Sequence, residues 1–390
     1  MVRPFQFSRL PLICFGTGKI KLLPGFIKKL GSVIILVTDQ GSFIRSTYAE
    51  ALFESFRKEG IRYHHIVIAG EPSSEMIDSA VEKFNNEMVD AVVSIGGGSV
   101  LDAGKAISAM MRVEGSVREY LEGVGTREHP GTKLPFIALP TTSGTGSEAT
   151  KNAVISEIRK DGFKKSLRHD NFVPDIAIID PELTLSCPQD ITAASGMDCF
   201  TQLTESYLSD KACEYTDAFA WEGLKALKSS IFKVYMNGHD SEARSAMSFA
   251  ALTSGICLSN AGLGIVHGFA SSVGGMFNIP HGVICGTLMA PANSINIREL
   301  RKRSSNPVTM NKYIRLGRLF LNDDGKSDDY YIDGFVEFLR KLTDDMKLQR
   351  LGQYGIKEED LGPICRITEL KNNPVKLTTD NLIEILRERQ

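Results

Sequence analysis

Short β-branched runs alternate with amphipathic segments through the first half of the chain, and that alternation admits few architectures. Residues 33–37 (VIILV) read as a buried strand closed by Thr38 and Asp39. Residues 48–58 carry Ala49, Leu52, Phe53 and Phe56 at helical spacing, and 74–88 do the same with Met76, Ile77, Ala80, Val81 and Phe84. Further strands are predicted over 63–68, 91–95, 136–139 and 176–179. Strands separated by helices imply a parallel sheet covered on both faces. From Pro188 onward the pattern changes to long helical segments bearing Ala, Leu and Ser. The expected organisation is an α/β domain over 1–186 followed by an all-helical domain over 187–390. A chain of 390 residues exceeds one ordinary core in any case.

Charge and cysteine usage narrow the partners. A formal net charge of -2 and a pI near 6.4 give no reason to expect nucleic acid or an anionic membrane. The seven cysteines (14, 187, 199, 213, 257, 285 and 365) are scattered and form no CxxC pair. That argues against a disulfide framework and against a thiolate zinc site, and most are expected as small apolar core residues in a reducing compartment. The opening residues lack a signal-peptide apolar region, and no stretch reaches the ~18 apolar residues needed to span a bilayer. The expectation is a cytoplasmic protein acting on a small molecule.

Gly96-Gly97-Gly98-Ser99 follows the strand at 91–95 and precedes a segment that can be helical. Glycines let backbone N–H groups approach a ligand, and a helix N-terminus favours an anion such as pyrophosphate. The ordinary dinucleotide fingerprint places an acidic residue after its glycines; here Asp39, at a strand end, lies far upstream of Gly96. Asp39 either binds ribose hydroxyls, favouring NAD over NADP, or simply ends a strand in a turn. A second flexible loop, 140–148 (PTTSGTGSE), follows the strand at 136–139 and suits phosphate, ribose or solvent equally.

Two of the seven histidines stand in apolar, glycine-rich contexts: His267 in GLGIVHGFA and His281 in IPHG. A buried imidazole needs a partner. Two in similar settings suggest a shared ligand, with Pro280 breaking the helix between them. Asp198 precedes a helical run expected over 199–208, and Gln202 lies four residues on, on the same helical face. One carboxylate and two neutral imidazoles suit zinc or ferrous iron. A carboxylate placed at a helix start for its dipole alone remains the other reading of Asp198.

Five ordered motifs together resemble the iron-containing (group III) alcohol dehydrogenases: GGGSVLDAGKA at 96–106, LPTTSGTGSEAT at 139–150, PDIAIIDPELT at 174–184, GMDCFTQLTESY at 196–207 and GLGIVHGFASSVGGMFNIPHG at 262–282. The resemblance implies an N-terminal α/β dinucleotide-binding domain, an all-α C-terminal domain (the dehydroquinate synthase-like fold) and a cleft between them. It gives Asp39 the selection of NAD, and Gly96, Gly97, Gly98 and Ser99 the pyrophosphate. It places Asp102 near the nicotinamide, Thr141, Thr142 and Thr145 along the cofactor, Lys164 at its ribose and Asn152 in the substrate pocket. Asp198, His267 and His281 match three of the family's four metal ligands. Two positions depart: the fourth ligand, usually histidine, is Gln202, and a pocket histidine is replaced by Ser271. An amide oxygen binds divalent cations more weakly than imidazole does.

The implied cofactors are NAD and a divalent metal, Fe2+ or Zn2+, and the implied partners a small alcohol or aldehyde and a second copy of the chain in a homodimer. A cation acting as a Lewis acid lowers the pKa of an alcohol oxygen, which a hydride transfer to nicotinamide requires. Ser271 or water then takes the place of the usual proton relay. A glycerol dehydrogenase-like polyol oxidoreductase and a nucleotide-binding protein with a decayed metal site are the alternatives, the second motivated by Gln202 and Ser271.

Overall fold

The computed structural model describes residues 4–41, 43–159, 162–303 and 306–390. In chain order the first half holds β1 (Leu12–Phe15), α1 (Leu23–Leu30), β2 (Val33–Asp39), α2 (Thr47–Glu59), β3 (Arg62–Ile68), α3 (Ser74–Phe84), β4 (Ala91–Gly96), α4 (Gly98–Met110), β5 (Phe136–Pro140), β6 (Asn152–Glu157), β7 (Phe163–Arg168) and β8 (Ile176–Ile179). The second half holds α5 (Gln189–Leu208), α6 (Glu214–Met236), α7 (Ser241–Ala261), α8 (Ile265–Met276), α9 (His281–Arg303), α10 (Pro307–Leu321), α11 (Asp328–Asp345), α12 (Glu358–Ile367) and α13 (Thr379–Glu388).

Six strands form a parallel sheet in the order β1-β8-β5-β4-β2-β3. Every residue of β4 is buried, as expected of a central parallel strand covered on both faces. From β2 the chain runs outward to β3 and then returns to add β4 on the other side. That reversal puts the topological switch between the carboxyl ends of β2 and β4, the place where open α/β sheets bind ligands. Register brings three chain ends to one edge: Asp39 closes β2, Gly96 closes β4, and Pro140 sits opposite Gly96 at the end of β5.

The predicted sheet strands and α2 form where their patterns place them. Helix α3 stops at Phe84 rather than running to 88, where Asn85 and Asn86 replace the apolar spacing. Helix α1 and two strand features have no counterpart among the sequence expectations: the four-residue edge strand β1, too short to show a period, and the antiparallel hairpin β6–β7. The largest correction concerns α5. It begins at Gln189, after Pro188, and not at 199. Asp198 therefore sits mid-helix and buried, which removes the reading of it as a helix-start carboxylate.

The helical half is built around α5, whose residues from Gly196 to Leu208 are all buried in a core shared with α6, α7, α8 and α9. The two halves meet through glycine. Gly146, at φ 62, abuts Gly255 of α7 so closely that a Cβ on Gly255 would lie 2.1 Å from the Gly146 carbonyl oxygen. Among the described residues no single helix is long and apolar enough to cross a membrane.

Candidate active site

A cleft of about 1280 Å³ opens over the switch point. Its floor carries Asp39, Gly97, Gly98, Ser99, Thr141, Thr142 and Thr145, and its far wall carries Asp198 and His281. Helix α4 starts at Gly98, and Gly97 ahead of it supplies no side-chain cap. The first N–H groups of a helix lack intrahelical partners, so this end presents donors and a positive dipole end to an anion. Gly98 must be glycine because a Cβ there would stand 2.6 Å from Thr145 Cγ2. Asp39 turns one carboxylate oxygen to the Gly41 N–H at 2.8 Å. Lys164 of β7 also lines the cleft and pairs with Glu71 at 2.9 Å.

Asp102 and Asn152 are not among the residues that line the cleft. Lys105, fully buried, has its Nζ within 3.0 Å of four oxygens: the Ser147 carbonyl and hydroxyl, the Thr150 hydroxyl and the Asn152 carbonyl. Asp102 accepts from the Ser147 hydroxyl and, at 3.0 Å, from the Val154 N–H. Burial pushes Lys105 down to about 8 and Glu148 up to about 7. This network ties the 140–150 loop to α4 from beneath, which fixes the threonines that face the cleft.

The opposite wall gathers side chains from three helices. Asp198 comes from α5, His267 from the first turn of α8, and His281 and Cys285 from the first turns of α9. Their ligand atoms all lie within 4.8 Å of one another. His267 Nε2 is 3.2 Å and His281 Nε2 3.6 Å from Asp198 Oδ1, and Cys285 Sγ is 3.6 Å from His267 Nε2. His267 Nδ1 is held at 2.7 Å by Glu205 Oε2, while Glu205 Oε1 accepts the Val266 N–H at 2.7 Å. A carboxylate on the far nitrogen of an imidazole is the usual support of a metal-bound histidine. Here Gly264 leaves room for it, since a Cβ would lie 2.9 Å from Glu205 Oε1.

Burial opposes the charge on Asp198, but His281 and the bond to His267 outweigh it and hold the carboxyl near 2. Burial pushes His281 down to about 4, leaving a neutral imidazole, and pushes the Cys285 thiol up to about 12. Burial also works against a charge on His267, yet Cys285, Asp198 and Glu205 raise its proton affinity well above the ordinary value. A cation held among these donors would take the place of the Nε2 proton. One carboxylate, two imidazoles and one thiol, nearly all buried, form a set suited to a borderline divalent ion.

The structure thus brings Asp198, His267 and His281 together and adds Cys285, which the scattered cysteine pattern gives no reason to select. Its one sequence signal is the four-residue spacing from His281 on a common helix face. Gln202 lies beside the cluster with its Nε2 donating to Asp198 Oδ2 at 3.3 Å. Ser271 lies one turn beyond His267, donating to the His267 carbonyl at 3.0 Å. Glu205 also escapes sequence reasoning, being one carboxylate among many.

The model of the iron-containing alcohol dehydrogenases matches residues 11–181, and that of the Fe-containing alcohol dehydrogenase C-terminal region matches 192–389. The chain is 35% identical to the NAD-dependent methanol dehydrogenase of Bacillus methanolicus over 97% of both chains. It is 31% identical to the sulfoacetaldehyde reductase of Bilophila wadsworthia over 96% of both. The alcohol dehydrogenase from Oenococcus oeni superimposes with a TM-score of 0.88 at 28% identity, covering 99% of this chain and 100% of that one. With its parallel sheet, its helical second half and these matches along nearly its whole length, the chain belongs to the iron-containing alcohol dehydrogenase family.

Proposed function

We propose that this alcohol dehydrogenase interconverts a small primary alcohol and its aldehyde with NAD(H), using a divalent cation held by Asp198, His267 and His281. The carrying observation is that the uncapped N-terminus of α4 lines the same cleft as Asp198 and His281, two members of the Asp–His–His cluster. NAD, when bound, supplies the nicotinamide carbon that takes up or returns the hydride. The cation, whether Fe2+ or Zn2+, supplies Lewis acidity to the alcohol oxygen.

The remaining work falls to the chain. Gly97, Gly98 and Ser99 present backbone donors to the pyrophosphate, with Gly96 at the strand end giving them their approach. Asp39 receives the ribose hydroxyls and repels a 2′-phosphate, which selects NAD. Thr141, Thr142 and Thr145 border the bound dinucleotide, and Lys164, steadied by Glu71, reaches its ribose. Asp102 stands near the nicotinamide and Asn152 in the substrate pocket, each joined to the Lys105 network. Glu205 fixes the ring of His267 so that Nε2 points at the cation. Ser271 commits its proton to a backbone carbonyl, so water in the cleft is the better acceptor for the alcohol proton. Holding both partners at fixed positions removes much of the entropic barrier to hydride transfer.

In this reading the boundary between nucleotide-binding and metal-binding domains falls at 186/187, and the protein is a cytoplasmic homodimer. Methanol dehydrogenase and sulfoacetaldehyde reductase as relatives make short-chain substrates the first to screen. Replacing His267 with Ala should lower turnover at least about a thousandfold, the loss of some ~4 kcal/mol of transition-state stabilisation. NADH binding, followed by fluorescence, should persist. Turnover retained in that variant would remove His267 from the site. A protein that binds NADH but neither holds metal nor reduces any aldehyde would instead be a nucleotide binder with a lapsed centre.

A further inference from the structure

We infer that Cys285, and not Gln202, supplies the fourth protein donor to the cation, and that this thiolate biases the site towards zinc over ferrous iron. The inference rests on the three-residue metal site proposed above. The Gln202 amide is oriented away from a ligand role: Nε2 donates to Asp198 Oδ2 at 3.3 Å, and Oε1 lies 3.3 Å from the Ser254 hydroxyl, whose proton goes to the Ala251 carbonyl at 2.8 Å. Turning the amide over would set its oxygen against the Asp198 carboxylate. The amide oxygen is therefore directed to Ser254 rather than to the point on which the imidazoles converge.

Cys285 has the opposite disposition. It lies four residues after His281 on α9, so both side chains project from one face of the helix. The residue is fully buried, and its Sγ stands 3.6 Å from His267 Nε2. Tetrahedral geometry with a metal–sulfur bond of ~2.3 Å and a metal–nitrogen bond of ~2.0–2.1 Å places sulfur and nitrogen about 3.5 Å apart. The same geometry places nitrogen and oxygen about 3.4 Å apart, against 3.2 and 3.6 Å for the two imidazoles and Asp198 Oδ1. Three of the six donor–donor separations thus match a tetrahedron around a zinc-sized ion, and all six lie within 4.8 Å. On coordination the thiol gives its proton to solvent, and two anionic donors, Asp198 and Cys285, then balance a dication. Sulfur ligands select zinc over the harder preferences of ferrous iron.

The test uses the full chain, stripped with a chelator and reloaded with Co2+, whose thiolate-to-metal charge-transfer absorption in the near ultraviolet reports a cobalt–sulfur bond directly. Wild type, Cys285→Ser and Gln202→Ala are compared, with circular dichroism to establish that each is folded. The band is expected in wild type and Gln202→Ala and lost in Cys285→Ser. Zinc affinity, measured by competition with a chromophoric chelator, should fall at least about tenfold in Cys285→Ser and little in Gln202→Ala. Cobalt bound without the band, a band that survives in Cys285→Ser, or an affinity loss confined to Gln202→Ala would each overturn the thiolate assignment while leaving the Asp–His–His site standing. Wild-type protein that binds neither Co2+ nor Zn2+ would overturn both.

Discussion

The two walls of the cleft would recognise the ligands proposed for them by different physics. The nucleotide wall is made of backbone: strand ends, an uncapped helix start and glycines that clear the approach. Its elements are short and contiguous in sequence, because a phosphate needs only N–H groups and a dipole end. The wall proposed for the metal is made of side chains from three helices, with Glu205 steering His267 and the start of α9 carrying His281 and Cys285. A cation needs specified atoms at fixed separations, which packing alone provides. The first wall should therefore fail through lost space, and the second through lost aim.

That contrast can be tested one wall at a time. The largest effect should come from Gly98→Val, whose branched side chain collides with Thr145 where the cofactor's phosphates approach. NADH affinity should fall more than about a hundredfold with metal content unchanged. A variant that loses metal along with NADH would show that the walls are not separable. Next is Glu205→Gln, which keeps the size of the side chain but leaves one acceptor oxygen for both the His267 Nδ1–H and the Val266 N–H. Metal affinity should drop between about tenfold and a hundredfold, with NADH binding intact; equal affinity in the variant would show that the aim of His267 is set elsewhere.

The smallest effect concerns stability, and it belongs to the nucleotide half. His129 is buried against Tyr120 and Phe172, with Nδ1 accepting the Gly131 N–H. Burial pushes it down to about 4 from an ordinary value of 6.5. A base that binds its proton less well when folded favours the unfolded chain in acid. Its contribution is complete above pH 6.5 and is lost as pH falls towards 4, amounting to about 1–2 kcal/mol at about pH 5. Urea unfolding at about pH 7 and about pH 5 should show this loss in wild type and a smaller one in His129→Gln. An identical loss in both would assign the acid sensitivity to other groups.

Much of the nucleotide wall is legible in the amino-acid sequence. The run 91–99 reads as strand, glycines and helix start from local pattern alone, and Asp39 announces a strand end. The hairpin β6–β7 is not legible, because its strands find their register only against each other and against α4. Asp198 is misplaced at a helix start because Gly196 and the small residues before it carry little helical periodicity, yet α5 passes straight through them in the buried core. Cys285 cannot be separated from six other scattered cysteines without knowing which helix face meets His267.

The sequence by itself determined the parallel sheet, the helical second half and the ordered motifs that place the chain in its family, since each depends on residues near one another along the chain. Tertiary structure alone decided which donors stand together and which way Gln202 turns. Those outcomes depend on distances of a few ångströms between helices far apart in sequence, and they are fixed only when the core of the second half has packed.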